Sequence, residues 1–195
     1  MPGATAVGIT YNNGVLLASE RRISYGNFVV NKNTKKTFTV TEHVGAACAG
    51  MVADMEVLVR QVSALSKIRR LETRRDIQPN SVAKLMSVIM FERRYFPLLT
   101  QVIVGGINTR PEIYTLDPLG SVLPDRYAAV GTGAEMALGV MDADYSESLD
   151  EEKATSLALR AIRSSIQRDS ASGDGIDMLI INQEGKRELS HKSSS

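Results

Sequence analysis

The sequence predicts a single α+β domain in which helices pack against antiparallel sheets. The predicted elements follow the order strands, two helices, strands, two helices and a final strand. This order lacks the regular strand–helix alternation that builds a parallel sheet. The chain has 195 residues, of which 43% are hydrophobic, and this is enough to form one buried core.

The first third of the chain is predicted to be mostly β-sheet. Residues 5–11 and 15–19 are rich in apolar and β-branched side chains, and the Asn-Asn-Gly segment at 12–14 is typical of a hairpin turn. A further strand pair is predicted at residues 28–30 and 36–41, and a run of small residues follows it up to Gly50.

Two helices are predicted next, because the spacing of apolar residues changes. From Val52 to Ile68 they recur every three or four positions, which is the period of an amphipathic helix. Ser81 can cap a second helix, which is expected to run to about Arg94 and to end before Pro97.

The second half of the chain repeats this order of elements. It predicts strands at residues 100–106, 112–117 and 127–131, helices starting near Gly133 and covering 151–167, and a last strand at 176–182. For domain organisation we predict a short leader or unprocessed N-terminus at 1–4, one domain at 5–187 and a flexible polar tail at 188–195.

The composition argues against several functional classes. The formal net charge is +1, so no global field attracts nucleic acid or an acidic membrane. No run approaches the roughly 20 apolar residues of a membrane span, and no signal-peptide pattern is present, so we expect a cytoplasmic protein. The single cysteine, Cys48, lies among small residues and is expected to be buried and unreactive.

Conventional catalytic and metal sites lack the necessary residues. The two histidines, His43 and His191, stand far apart, which argues against a Ser-His-Asp triad, a Cys-His pair or a zinc site. We therefore expect no metal and no cofactor. The segment Gly131-Thr132-Gly133 resembles the start of a dinucleotide-binding fingerprint, but Met136 replaces its third glycine. We therefore interpret this segment as a tight turn between a strand and a helix. The basic segment 67–75 lacks interleaved aromatics, so we interpret it as a solvated or subunit-facing helix end, and a candidate protein contact, rather than a nucleic-acid site.

Several ordered blocks along the chain together resemble archaeal proteasome β subunits. They lie at residues 4–8, 19–22, 27–28, 35–36, 49–54 and, as Arg-Asp-Ser-Ala-Ser-Gly-Asp-Gly-Ile-Asp, at 168–177. The resemblance covers nearly the whole chain and implies an N-terminal-nucleophile hydrolase. It further implies a four-layer αββα sandwich, with two antiparallel sheets between helix layers.

The resemblance also implies the residues of a catalytic site. In this family an N-terminal threonine attacks the peptide carbonyl, and its free α-amine, with a pKa near ~8, takes the proton. Lys36 matches the active-site lysine and Glu20 its acidic partner, whereas Asp169 and Ser172 match the pair that supports the amine.

Further positions match by the same resemblance. Gly50 matches the oxyanion glycine, whose N–H can contribute about 3 kcal/mol in the transition state. Thr132 stands where the family usually has serine. The positions matched to peptide binding are Ser24 for backbone contacts and Ile23, Phe38, Cys48 and Val52 for an apolar specificity pocket.

The chain departs from the family at the nucleophile. Counting back from Gly8 or from Glu20 places Ala4 at the threonine position, and a methyl group cannot attack a carbonyl. Thr5 is the alternative nucleophile, but side chains alternate faces along a strand, so its hydroxyl is expected to point away from Lys36. Leader removal needs the same hydroxyl. Residues 1–3 are therefore expected to stay attached, apart from methionine trimming, whether Ala4 is native or engineered.

Three functions remain open from the sequence: an active threonine endopeptidase that uses Thr5, a structural ring subunit without catalysis, and a binding protein of the same fold outside a proteasome. The resemblance implies seven-membered β rings stacked between rings of α subunits. It allows a separate, active β subunit to be a member of the same β ring. It also implies that an ATP-dependent unfoldase delivers unfolded polypeptides through the α ring.

Overall fold

The structure is a computed structural model that describes residues 3–192. Its strands are β1 (Thr5–Tyr11), β2 (Gly14–Glu20), β3 (Ile23–Tyr25), β4 (Phe28–Asn31), β5 (Thr37–Thr39), β6 (Val44–Gly50), β7 (Thr100–Ile107), β8 (Pro111–Leu116), β9 (Val122–Asp125), β10 (Tyr127–Gly131), β11 (Ile176–Asn182) and β12 (Gly185–His191). Its helices are α1 (Val52–Thr73), α2 (Pro79–Glu92), α3 (Ala134–Asp144) and α4 (Glu151–Arg168).

The strands form two five-stranded antiparallel sheets and a separate hairpin. The first sheet has the order β10-β1-β2-β11-β12 and the second has the order β5-β6-β7-β8-β9, while β3 pairs with β4. Helices α1 and α2 pack on the outer face of the second sheet, and α3 and α4 pack on the outer face of the first. The predicted α+β sandwich of four layers is confirmed.

Side-chain alternation along β1 explains how one strand serves two cores. Val7 and Ile9 face the α3–α4 layer, whereas Ala4 and Ala6 face the space between the sheets. On that inner face, a Cβ added to Gly8 would lie 2.7 Å from a methyl carbon of Ile103. The sheets therefore approach each other closely because small residues line this part of β1.

The structure corrects two predictions about the strands. Residues 28–31 pair with β3, not with β5, because Gly26 adopts a positive φ of 57° and closes a local hairpin. The flexible tail predicted to start at residue 188 is also corrected. Residues 188–191 belong to β12, in which Glu188 pairs with Leu179 of β11. Residues 193–195 lie outside the described part.

The edge strands and the helix ends also differ from the sequence-based expectation. The sequence pattern predicts neither β9 nor β12. Strand β9 is a four-residue edge strand, Val-Leu-Pro-Asp, that contains a proline, and β12 is a mostly polar edge strand without an apolar alternation. Helix α1 continues five residues past Ile68 to Thr73. Within residues 3–192, no helix is long and apolar enough to cross a membrane.

Candidate active site

Buried polar side chains concentrate at one end of the sandwich. Thr5 starts β1, Glu20 ends β2, Lys36 precedes β5, and Ser172 lies in the loop between α4 and β11, and all four are buried. Buried polar groups cost free energy unless they are paired, so a cluster of them at one place indicates a site.

The centre of the cluster is an ion pair between Lys36 and Glu20. The side chain of Lys36 is 1% exposed and that of Glu20 is 0% exposed. The ammonium of Lys36 donates to Glu20 Oε1 and, at 2.5 Å, to the carbonyl oxygen of Arg22. Glu20 Oε1 also accepts the amide N–H of Thr5 at 3.2 Å, so the lysine lies beside the first residues of β1.

The second carboxylate oxygen of Glu20 connects this pair to the α4–β11 loop. It accepts the amide N–H of Arg22 at 2.6 Å and that of Gly173 at 3.0 Å. Four donors thus surround one buried carboxylate. This number of partners offsets the cost of placing a charge inside the protein.

Burial is the main influence on the pKa of both members of the pair. It lowers the pKa of Lys36, and the attraction of Glu20 opposes that change. It raises the pKa of Glu20, and Lys36 and the two backbone N–H groups oppose it. A lysine whose pKa is lowered is better able to exchange a proton near neutral pH than an exposed one.

Ala4 and Thr5 face opposite sides of β1. The methyl group of Ala4 belongs to the apolar cluster between the sheets. The hydroxyl of Thr5 makes a 2.7 Å hydrogen bond with Ser172 Oγ, and it packs so closely on Gly133 that an added Cβ there would overlap it. Neither side chain therefore presents a free hydroxyl to Lys36 in the described structure.

Thr132, Asp169 and Ser172 form a connected set of hydrogen bonds next to Ala4. The amide N–H of Ala4 donates to Thr132 Oγ1 at 3.2 Å. Thr132 Oγ1 donates to Asp169 Oδ2 at 2.5 Å, and Ser172 Oγ donates to the same oxygen at 2.8 Å. The structure thus brings together all the residues that the sequence matched to the acid, the lysine and the amine-supporting pair.

Two glycines shape the backbone around this end of β1. Gly50 has φ +136°, and an added Cβ would overlap the carbonyl oxygen of Leu99. Gly131 has φ +98°, and an added Cβ would overlap the carbonyl oxygen of Ala4. Both positions require glycine because L side chains rarely adopt this region and no space is left for one.

A cleft of about 400 Å³ opens beside this cluster. Its walls are formed by Gly3, Ser24, Tyr25, Gly26, Met51, Leu99, Thr132 and Ala171. Among the residues matched to peptide binding, Ser24 lines the cleft. Cys48 is fully buried against the α1–α2 layer, and Phe38 packs against the same cluster. Ile23 and Val52 are half-buried and do not line it.

Some contacts of the site have no signal in the sequence, although Arg22 and Asp174 lie inside the blocks 19–22 and 168–177 that carry the resemblance. Gln101 Oε1 accepts the amide N–H of Gly131 at 2.8 Å. Arg22 clamps the α4–β11 loop, because its Nε donates to Asp174 Oδ2 at 2.7 Å and its Nη1 to the carbonyl oxygen of Ser170 at 2.9 Å. Asp174 has a positive φ of 68°, so the clamp holds a strained residue. These residues come from distant parts of the chain, and only their folded positions connect them.

The arrangement contains a lysine–carboxylate pair, a second carboxylate with two hydroxyl partners and an adjacent open cleft. These are the parts that activate a nucleophile and hold a substrate. Within residues 3–192, no group of three or more His, Cys, Asp or Glu side chains could hold a metal ion. The backbone N–H groups of Ala4 and Thr5 bind two of these parts, Thr132 and Glu20, and the side chain of Ala4 is a methyl group.

Comparison with known proteins gives consistent matches over most of the chain. Residues 1–181 match the family model of the proteasome subunit. The chain is 66% identical over 189 residues to proteasome subunit beta 1 of Cenarchaeum symbiosum, covering 97% of this chain and 98% of that protein. It is 62% identical over 192 residues to proteasome subunit beta 1 of Nitrosopumilus maritimus, covering 98% and 97%. It is 44% identical over 187 residues to proteasome subunit beta 2 of Pyrobaculum arsenaticum, covering 95% and 92%.

Proposed function

Because the chain belongs to the proteasome subunit family and is a β subunit of the core particle, we propose that it is a ring subunit without a nucleophile of its own. The observation that carries the proposal is the position of Ala4. Its amide N–H binds Thr132, and the next amide along the chain binds Glu20, the partner of Lys36. These backbone contacts support the proposal, because they join the matched residues to a chain segment whose side chain at position 4 has no oxygen.

Members of this family assemble with α subunits and other β subunits in rings, and the family is one of threonine peptidases. We propose that the ring containing this chain takes its peptidase activity from a separate β subunit with an N-terminal threonine. The substrates are then unfolded polypeptides that an ATP-dependent unfoldase delivers through the α ring. In this arrangement the chain completes the wall of the central chamber that the stacked rings enclose.

An exposed aromatic cluster at the end of α2 supports a role in assembly. Phe91, Tyr95 and Phe96 are 55%, 79% and 90% exposed. The guanidinium of Arg94 lies 4.4 Å from the ring centre of Phe91 and 4.7 Å from that of Tyr95. Clusters of exposed aromatics and arginine are typical of protein interfaces. We propose that this cluster contacts a neighbouring subunit.

The alternative of an active peptidase that uses Thr5 requires a rearrangement of β1. The side chain of Thr5 is completely buried, and its hydroxyl is bonded to Ser172. For the hydroxyl of Thr5 to reach Lys36, the start of β1 would have to rotate, and the amide N–H of Thr5 would lose its hydrogen bond to Glu20. We therefore favour the subunit without a nucleophile.

The test restores the missing hydroxyl at position 4. Ala4→Thr adds a hydroxyl and a methyl group, whereas Ala4→Val adds the same shape without the oxygen and serves as the matched control. Each variant and the wild type are assembled with α subunits, and intact mass and cleavage of a fluorogenic peptide are measured. We expect wild type and Ala4→Val to keep the residues before position 4, apart from methionine trimming, and to be inactive.

Ala4→Thr is expected to yield a chain that begins at position 4 and cleaves the peptide. A wild-type particle that cleaves the peptide, and loses this activity on Thr5→Ala, would instead establish the Thr5 enzyme. An Ala4→Thr particle that assembles but stays unprocessed and inactive would show that more than the nucleophile is missing.

A further inference from the structure

Two buried hydroxyl groups next to the Lys36–Glu20 pair have no hydrogen-bond partner in the protein. Within residues 3–192, this holds for three buried side-chain oxygens: Ser19 Oγ, Thr37 Oγ1 and Ser66 Oγ. Ser19 is 0% exposed and Thr37 is 1% exposed, so bulk solvent does not reach them. Buried hydroxyls in folded proteins are paired with a protein group or with an ordered water molecule, because an unpaired one costs free energy. The first two hydroxyls therefore indicate a partner from outside the chain.

The side chains of Ser19 and Thr37 both face the space between the two sheets. Ser19 pairs with Ala6 of β1, and Thr37 pairs with Ala47 of β6. Both alanines belong to the apolar cluster between the sheets, and directly paired residues of antiparallel strands lie on the same face of a sheet. Ser19 therefore enters this space from the first sheet, and Thr37 enters it from the second.

The ion pair brings these two hydroxyls to the same part of the space. Ser19 precedes Glu20 and Thr37 follows Lys36, and the side chains of Glu20 and Lys36 are hydrogen-bonded to each other. Strands β2 and β5 also lie close together in the folded chain. The other neighbour of Ser19 in its sheet is Asp177, whose two carboxylate oxygens accept hydrogen bonds from Arg21 and none from Ser19. A polar site between short alanine side chains suits a molecule of the size of water.

We propose that an internal water molecule bridges Ser19 Oγ and Thr37 Oγ1 and links the two sheets beside the site. Water both donates and accepts hydrogen bonds, so one molecule satisfies both hydroxyls. Strand β5 is a three-residue edge strand that pairs only with β6, and Lys36 directly precedes it. The bridge gives this short strand a second attachment, to the first sheet, and so helps to hold Lys36 against Glu20. It does not depend on whether the chain has a nucleophile.

The experiment compares the full wild-type chain with Ser19→Ala, Thr37→Val, the combination of both, and Ser66→Ala as the matched control. Thr37→Val keeps the shape of the side chain and removes only the hydroxyl. Ser66 is buried and also has no partner, but it lies in α1, on the outer side of the second sheet. Urea unfolding gives the equilibrium constant of unfolding for each protein. Magnetic relaxation dispersion of the water oxygen nuclei detects water molecules that stay bound inside the protein.

Ser19→Ala and Thr37→Val are each expected to raise the equilibrium constant of unfolding roughly fivefold to thirtyfold, because each leaves the water and the other hydroxyl with a missing bond. The combined variant is expected to show far less than the product of the two single effects, and to lose the dispersion of one bound water molecule. Ser66→Ala is expected to be neutral or stabilising, since alanine favours a helix, and to leave the dispersion unchanged. Thr37→Ser keeps the oxygen and is expected to retain the water.

The proposal is overturned if Thr37→Val stabilises the chain, as the removal of an unpaired buried hydroxyl would do. It is also overturned if the effects of Ser19→Ala and Thr37→Val multiply in the combined variant, because the two hydroxyls would then act independently. Coupled effects with an unchanged dispersion would overturn it as well, since the hydroxyls would then bind each other without water. None of these readouts uses peptidase activity or the N-terminal residue, so they are separate from the test of the proposed function.

Discussion

Removal of the ammonium of Lys36 is the most direct test of the energetics of the site. Lys36→Met keeps the length of the side chain but leaves the carboxylate of Glu20 buried without its cation. Breaking one partner of a buried ion pair typically costs about 3–5 kcal/mol. Three backbone N–H groups still bind Glu20, from Thr5, Arg22 and Gly173, so we expect a loss near the lower end of this range.

A double-mutant cycle with Glu20→Gln separates the pair from its surroundings. Glu20→Gln alone leaves the ammonium of Lys36 with the carbonyl oxygen of Arg22 and is expected to cost about 3–5 kcal/mol as well. The combined variant has no charge at this pair, but glutamine has only one carbonyl oxygen, so the backbone N–H groups on one side of it meet the NH2 group instead of an acceptor. We expect it to lose about 1–3 kcal/mol, well below the sum of the two single losses.

The pH dependence follows from the directions of the two pKa shifts. The pKa of Glu20 is raised in the folded state, so its contribution to stability is present below the unfolded value of 4.5 and is lost as the pH rises through the folded pKa. The pKa of Lys36 is lowered, so its contribution is present above 10.5 and is lost as the pH falls through the folded pKa. The difference in free energy of unfolding between the wild type and the combined variant is therefore expected to be smallest near neutral pH and to grow towards acid and alkaline pH.

The measurement is urea unfolding of the wild type, the two single variants and the combined variant, monitored by circular dichroism. All four proteins are compared at one protein concentration and at several pH values. Equal slopes against urea are required before free energies of unfolding are compared. The reasoning is refuted if Lys36→Met costs less than about 1 kcal/mol, since a loss that small is typical of an exposed ion pair. Additive losses in the combined variant would also refute it.

Three further predictions follow from the surroundings of the site. Burial raises the pKa of the Cys48 thiol, so iodoacetamide is expected to label it after unfolding in urea but not in the native protein; rapid native labelling would contradict its buried position. Gly131→Ala is expected to cost at least ~2 kcal/mol in urea unfolding, because φ is +98° and the added Cβ overlaps the carbonyl oxygen of Ala4. Gly139→Ala, in a helix with free space around it, is the matched control and should be neutral or stabilising. Arg22→Lys is expected to increase proteolysis of the loop that it clamps, because lysine cannot reproduce both bonds; unchanged cleavage would show that the clamp is dispensable.

Local patterns in the sequence were sufficient for the elements that have a buried face. Helix α1 follows from apolar residues every three or four positions, and the β1–β2 hairpin follows from its turn residues. The edge strands β9 and β12 carry no such pattern, because β9 has only four residues, one of them a proline, and β12 is mostly polar.

For the site, the sequence by itself determined that position 4 has no hydroxyl, and the resemblance assigned roles to the acid, the lysine and the amine-supporting pair. Only the tertiary structure decided how they meet: one carboxylate, Glu20, binds Thr5, Lys36 and Gly173, which are far apart along the chain. It also decided that Gly3 lines the cleft and that Cys48 does not. The reason is physical. Periodicity and turn chemistry act between near neighbours, whereas burial and pairing of charges depend on contacts that exist only after the sheets have packed together.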